Sequence, residues 1–238
     1  MEGRTEVNSN LNAKKPTLLL ADDHAIVLDG LRRLLEREFD LVGCVGDGWA
    51  LLEAARKLKP DVIVSDVSMP MLNGIEAVRR LKKSDPRCKF VMLSMHGEIE
   101  IAKDALSAGA SAYVIKHSAA ETLSHAIWEA INGRVFISPR IARSMAGSPT
   151  APKKAAAISA VHLTQREREV LQLVAEGRTI NGIASILKIA ARTVVFHKSN
   201  LMDKLGRRTT ADLTQYAIQS GIIDVRVADF EGVFQATA

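Results

Sequence analysis

Five short apolar runs punctuate the first half of the chain, and a stretch of helical period follows each. The runs are TLLLA (17–21), LVGCV (41–45), VIVSD (62–66), FVMLS (90–94) and AYVIK (112–116). They are continuous rather than alternating, which is the pattern of strands buried on both faces. The first segment between them sets Val27, Leu28, Leu31, Leu34, Leu35 and Glu38 at spacings of three and four. The last sets Leu123, Ile127 and Ile131 on one stripe and meets Gly133 as a stop. Strands alternating with helices predict a five-stranded parallel sheet covered on both sides.

The pattern then changes. SPRIARSMAGSPTAPKKAAAIS (138–159) is rich in Ser, Pro, Ala and Gly and has no clear period, so residues 135–160 read as a linker. LTQREREVLQLVAEGRT restarts a helical stripe with Val170, Leu171, Val174 and Ala175 and stops at Gly177. Further helices are predicted over 180–187, 191–205 and 210–220, the first two separated only by KIA (188–190). No strand-like run interrupts residues 161–224, so this rear domain is expected to be all-α. Residues 1–16 read as a polar lead, 17–134 as the α/β domain and 225–238 as a tail.

Composition narrows the class. The 238 residues are 47% hydrophobic and 25% charged, as in a soluble globular protein. No run of eighteen apolar residues occurs, so no membrane span or membrane partner is expected. The polar N-terminus lacks the apolar core of a signal peptide. Cys44 and Cys88 are far apart and without metal-site spacing, which points to a reducing, cytoplasmic setting. Charge is uneven: residues 17–133 carry 14 Lys+Arg against 17 Asp+Glu, residues 134–160 five against none, and residues 161–224 nine against six. An acidic front and a basic rear suggest two jobs, the rear facing a polyanion.

The chemistry gathers at strand ends. Asp22 and Asp23 follow the first run directly, Asp66 ends the third, Ser94 the fourth and Lys116 the fifth. An open parallel sheet binds ligands at the carboxyl ends of its strands. With strand order 2-1-3-4-5 the first and third strands are neighbours, and the three carboxylates converge. Each residue alone has a bland reading, because Asp at a strand end is usually a turn or cap. Five such residues at the ends of four strands are a rarer coincidence. Three acids in one crevice call for a cation, and an oxygen-only donor set suits Mg²⁺. A divalent metal beside a carboxylate is also a phosphoryl-transfer arrangement, in which Lys116 supplies a second cation and Ser94 a hydrogen-bond donor. A nucleotide site of flavodoxin type would want a Gly/Ser/Thr-rich loop where the two aspartates stand. A haloacid-dehalogenase-like phosphatase would want a second Asp two positions after its nucleophile, and that position is Ser68. Hydrolysis is therefore not expected as the main activity.

Residues 17–133 resemble the receiver domain of a two-component response regulator, a flavodoxin-like fold. The resemblance rests on the pair Asp22–Asp23, on Asp66 followed by VSMPMLNG with Pro70 and Gly74, and on Ser94, Tyr113 and Lys116. It implies that Asp66 accepts a phosphoryl group from a sensor histidine kinase. It implies that Asp22, Asp23, Asp66 and the backbone carbonyl of Ser68 hold Mg²⁺, and that Lys116 and Ser94 bind the phosphoryl group. Ser94 and Tyr113 become switch residues. The protein would then be no enzyme beyond slow autophosphorylation and autodephosphorylation. His117 stands where many receivers carry proline, so a trans bond is expected after Lys116.

The two helices around KIA satisfy a helix-turn-helix pattern, with Ile183, Ala184 and Leu187 inside the first and Val194, His197, Leu201 and Leu205 inside the second. LTQREREVLQLVAEG and IASILKIAARTVVFHKSNLMDKLG resemble the LuxR-type DNA-binding domain, and residues 17–223 together resemble a NarL/FixJ-type response regulator. The resemblance implies double-stranded DNA as partner, the second helix in the major groove, and a homodimer on activation through the last helix, with Leu213, Tyr216 and Ala217 as its contacts. Arg192, Thr193, Val195, Phe196, Lys198, Ser199, Arg207 and Arg208 are the candidate DNA residues. The family's capping Glu is replaced by Gly182, although Thr179 keeps the cap; the exchange costs about 1 kcal/mol. At about 100° per residue, Arg192, Val195, Phe196 and Ser199 fall opposite the inward stripe. Two apolar groups facing the groove favour thymine methyls, unless Phe196 packs against its own domain. A helical domain that no longer reads DNA specifically is the rival reading, and binding to its own promoter discriminates the two.

Overall fold

The computed structural model describes residues 14–95, 97–146 and 163–224. Its α/β half runs β1 (Thr17–Ala21), α1 (Ala25–Leu35), β2 (Asp40–Val45), α2 (Gly48–Leu58), β3 (Val62–Asp66), α3 (Gly74–Ser84), β4 (Lys89–Ser94), α4 (Ile99–Ala108), β5 (Ala112–Ile115) and α5 (Ala119–Ile131). The strands are parallel in the order β2-β1-β3-β4-β5, with a sixth, β6 (Phe136–Ile137), added beside β5.

Side chains alternate between the two faces of a strand, and each face has its own core. Leu18 and Leu20 of β1, Val62 and Val64 of β3, and Val91 and Leu93 of β4 pack with Leu31 and Leu35 of α1 and Leu123 and Ile127 of α5. Leu19, Ile63, Phe90, Met92 and Tyr113 point the other way, onto α2, α3 and α4. Burial on both faces is why these strands read as continuous apolar runs. Asp47 caps α2 by accepting from Ala50 N–H, and Asn73 caps α3 by accepting from Glu76 N–H. Gly74 is required at the start of α3, since a Cβ there would overlap the Asp66 carbonyl.

Two expectations are corrected. The sheet has six strands rather than five, and the segment expected to open the linker forms a strand and a helix packed on the α/β core. Phe136 and Ile137 pair with Ala112 and Tyr113, and Pro139–Ala146 forms a further helix, α6, with Ile141 fully buried. A two-residue strand has too little period to be seen in sequence; pairing defines it. The rest of the expected linker, the polar lead up to residue 13 and the tail from 225 lie outside the described residues.

The rear domain is all-α: α7 (Gln165–Ala175), α8 (Ile180–Leu187), α9 (Ala191–Leu205) and α10 (Thr210–Gln219). Thr164 and Glu167 form a reciprocal capping box at α7. At α8 Thr179 accepts from Gly182 N–H and no box forms, as the Gly182 exchange dictates. The core joins Val170, Leu171, Val174, Ile183, Leu187, Val194, Leu201 and Leu213. This domain packs against the α3 side of the α/β domain, where buried Glu76 pairs with Arg168 and buried Glu169 pairs with Arg80. No helix among the described residues is long and apolar enough to cross a membrane.

Candidate functional site

β1 delivers Asp22 and Asp23 to the sheet's carboxyl edge, and β3 delivers Asp66 beside them. Asp22 is fully buried, its N–H donating to the Val45 carbonyl at 3.0 Å and so tying the loop to β2. Lys116, in the short 3-10 turn just past β5, reaches back between the acids. Its Nζ lies 2.7 Å from Asp22 Oδ2 and 3.0 Å from Asp66 Oδ2. His24 completes the cluster, with Nδ1 3.1 Å from Asp22 and 3.0 Å from Asp23. Donor atoms of Asp22, Asp23, His24 and Asp66 all lie within 4.8 Å of one another. Carboxylates so placed fit a small hard dication.

Electrostatics agree with that fit. Burial holds the Asp66 carboxyl above the usual carboxylate range; Lys116 opposes the rise and Asp22 adds to it. Burial likewise raises Asp23, against His24. Burial pulls the Lys116 ammonium down, but Asp66 and Asp22 outweigh it and the net shift is upward. A carboxyl with a raised folded-state pKa holds its proton more tightly in the native state. Stability is therefore lost as pH climbs from the unfolded pKa through the folded one. Replacing Asp66 by neutral Asn removes this cost. With EDTA present at about pH 7.5, Asp66→Asn should melt a few degrees above the wild type, and the gap should close toward about pH 4. A lower melting temperature for the variant would show that the Lys116 pair outweighs burial.

Ser94 and Tyr113 sit behind this crevice, both fully buried. A side-chain hydrogen bond links them, and burial pushes the Tyr113 hydroxyl up to about 12. Ser68 is buried two residues after Asp66, with an Oγ that has no partner among the described residues. No described peptide bond is cis, including the one after Lys116.

On the rear domain, α9 turns Val194 and Leu201 into the core and leaves Val195 and Phe196 53% and 61% exposed. Phe196 stands outside the buried core of its domain, and its ring meets His197 edge-on at 5.8 Å. His197, expected on the buried stripe, is half-buried. Arg192, Ser199 and Arg208 are exposed on the same domain, while Thr193, Lys198 and Arg207 are half-buried. Lys198 Nζ donates to Thr210 Oγ1 at 2.9 Å.

The profile of the response regulator receiver domain matches residues 18–128, and that of the bacterial regulatory proteins of the luxR family matches residues 161–217. The transcriptional regulatory protein MctR of Rhizobium johnstonii is 34% identical over 211 residues, which cover 88% of this chain and 96% of MctR. The chain is a response regulator. It is a transcription regulator of the NarL/FixJ type, with a receiver and a LuxR-type DNA-binding domain. The response regulator UvrY of Escherichia coli K12 is 31% identical, with 86% of this chain and 94% of UvrY covered. RcsB from Salmonella enterica serovar Typhimurium, solved on promoter P1flhDC with the phosphomimetic BeF3−, superposes with a TM-score of 0.60 at 29% identity, covering 85% of this chain and 98% of RcsB.

One expectation for this response regulator fails on geometry. Leu213, Tyr216 and Ala217 are buried in the core of their own domain, so they offer no surface to a second copy. An amphipathic stripe announces burial without naming what buries it. Sequence reasoning also missed His24, whose position directly after the aspartate pair was a usable signal. It missed the residues of α7 that touch the receiver, for which no local pattern exists.

Proposed function

We propose that a sensor histidine kinase phosphorylates Asp66 of this chain in the cytoplasm and that the phosphorylated chain dimerises and binds double-stranded DNA. The observation that carries this reading is the convergence of Asp22, Asp23, Asp66 and Lys116 in one buried crevice of a chain whose recognition helix is open to solvent. Asp66 acts as nucleophile: a carboxylate oxygen attacks phosphorus in line, and the bond from phosphorus to the donor breaks. Asp22, Asp23, Asp66 and the Ser68 carbonyl would hold Mg²⁺. When bound, that ion supplies the positive charge the phosphoryl oxygens need among three carboxylates. Lys116, already against Asp66, is placed to pair with the phosphoryl group, and Ser94 to donate to it. Tyr113 follows because it is bonded to Ser94.

The DNA-facing side of α9 is read as Arg192, Val195, Phe196 and Ser199, with Thr193, Lys198, Arg207 and Arg208 toward the backbone. An exposed Phe beside an exposed Val is poorly placed in water and well placed against thymine methyl groups. Sites selected from random DNA by the acetyl-phosphate-treated protein should be enriched in thymine under these two side chains. Phe196→Ala should weaken binding to the selected site by ~1–3 kcal/mol and leave random DNA nearly unaffected. Equal losses on both would remove Phe196 from base reading. No selection of sites at all would favour a signalling protein without specific DNA readout. With Leu213, Tyr216 and Ala217 inside the domain, dimerisation falls to the exposed side of α10, around Ala211 and Gln215.

A further inference from the structure

β5 carries Lys116 at its end, and its outer edge is covered only by the short segment that follows α5. Phe136 and Ile137 pair with β5 as far as Tyr113. Beyond them Ser138 closes the edge. Its N–H donates to the Tyr113 carbonyl at 2.9 Å, and its Oγ accepts from Ile115 N–H at 3.0 Å. A continuing parallel ladder would give that second bond to the Ser138 carbonyl. The carbonyl is engaged elsewhere: it accepts from Ile141 N–H at 2.9 Å and from Ala142 N–H at 3.0 Å, which starts α6. The hydroxyl therefore stands in for a backbone acceptor, and the chain can leave the sheet for a helix at this residue. Ser138 is 1% exposed, so water is no substitute partner for the Ile115 N–H.

Ile115 matters because Lys116 comes next. The strand ends at Ile115 and the turn Lys116–Ser118 begins there, with Ser118 Oγ donating to the Ile115 carbonyl at 3.1 Å. On its inner side Ile115 stands opposite Ser94 of β4. The Lys116 ammonium rides on a flexible stem, so the place where its backbone is anchored decides where the charge arrives. It arrives 2.7 Å from Asp22 and 3.0 Å from Asp66. Charge stabilisation in a transfer reaction depends on the charge standing in place beforehand. Ser138 lies beyond the receiver profile, which ends at residue 128.

We propose that Ser138 is a positioning residue for phosphoryl transfer at Asp66, its hydroxyl fixing the end of β5 from which Lys116 reaches the acceptor. The proposal rests on the reading of the acidic crevice given above. Ser138 acts through the backbone of Ile115 and adds nothing to the metal donors, which follow from β1 and β3. Without the hydroxyl, the Ile115 N–H is buried and unpaired, a state that a strand end relieves by shifting or fraying. A misplacement of about 1 Å, begun far from the chemistry, is enough to slow a reaction by up to about 100-fold.

Acetyl phosphate labelling rates of the full chain at saturating Mg²⁺, read by intact mass, test this beside calorimetric Mg²⁺ titration. Ser138→Ala should label about 10-fold more slowly than the wild type. Its Mg²⁺ affinity should stay within about twofold, because every anionic donor is kept. Ser138→Thr keeps the hydroxyl and should recover to within about threefold of the wild-type rate. Ile141→Ala opens a cavity under α6 and leaves the hydroxyl in place; it should melt lower than Ser138→Ala and yet label within about twofold of the wild type. General loosening of this segment would slow Ile141→Ala as much as Ser138→Ala, and that result overturns the proposal. So does a Ser138→Ala chain that labels at the wild-type rate, one whose slow labelling is matched by an equal loss of Mg²⁺ affinity, or a Ser138→Thr chain as slow as Ser138→Ala. A wild-type chain that takes up no phosphoryl group overturns the crevice reading itself, and the role of Ser138 with it.

Discussion

With Mg²⁺ and acetyl phosphate, the protein should take up one acid-stable, base-labile phosphoryl group per chain, and the Asp66→Asn chain should take up none. The expected effect is all or nothing, because only a carboxylate oxygen can form the acyl phosphate. Asp22 is the nearest rival. It is fully buried, accepts from His24 N–H at 2.9 Å and is bound by Lys116 at 2.7 Å. Asp23 is the more open of the pair, with His24 against it at 3.0 Å. Asp66 stands on the neighbouring strand with Lys116 at 3.0 Å, where an incoming phosphoryl group would meet both a carboxylate oxygen and a cation. Asn is isosteric and leaves the crevice in place. Intact-mass measurement after labelling reads the result, and equal labelling of Asp66→Asn would move the acceptor elsewhere.

Converting Asp22 and Asp23 together to Asn should weaken Mg²⁺ binding by at least about 100-fold. At an effective dielectric of about 20, a unit charge at ~4 Å is worth roughly 4 kcal/mol, so the loss of two such charges outweighs the oxygen donors that remain. The same calorimetric titration checks it, and an unchanged affinity would place the cation outside the crevice. From sequence alone, relieved repulsion between two adjacent carboxylates predicts a stability gain in the metal-free variant. Lys116 changes that expectation. It is bound to Asp22 at 2.7 Å, so the variant also loses half of a buried bridge. Near-wild-type melting in EDTA is therefore expected.

What the sequence determined by itself was everything written in local period or in motif order. β1 and β3 fall on TLLLA and VIVSD residue for residue, and α8 and α9 on 180–187 and 191–205. A strand buried on both faces, and a helix with one apolar stripe, carry their environment in their own residues. The aspartates and Lys116 were legible as a site because a parallel sheet brings strand ends together whatever the detail of its packing. Tertiary structure alone decided matters that depend on distant partners. β6 exists only because Phe136 and Ile137 meet β5. The stripe of α10 was visible, but whether Leu213 and Tyr216 would face a second copy or their own core was settled by the helices beside them. Phe196 could have packed inward by its chemistry and does not. Gln172 Nε2 donates to the Met69 carbonyl across 103 residues of chain, so no window of sequence contains both ends of the bond; only the docked fold brings the side chain to a backbone group that would otherwise lack a partner.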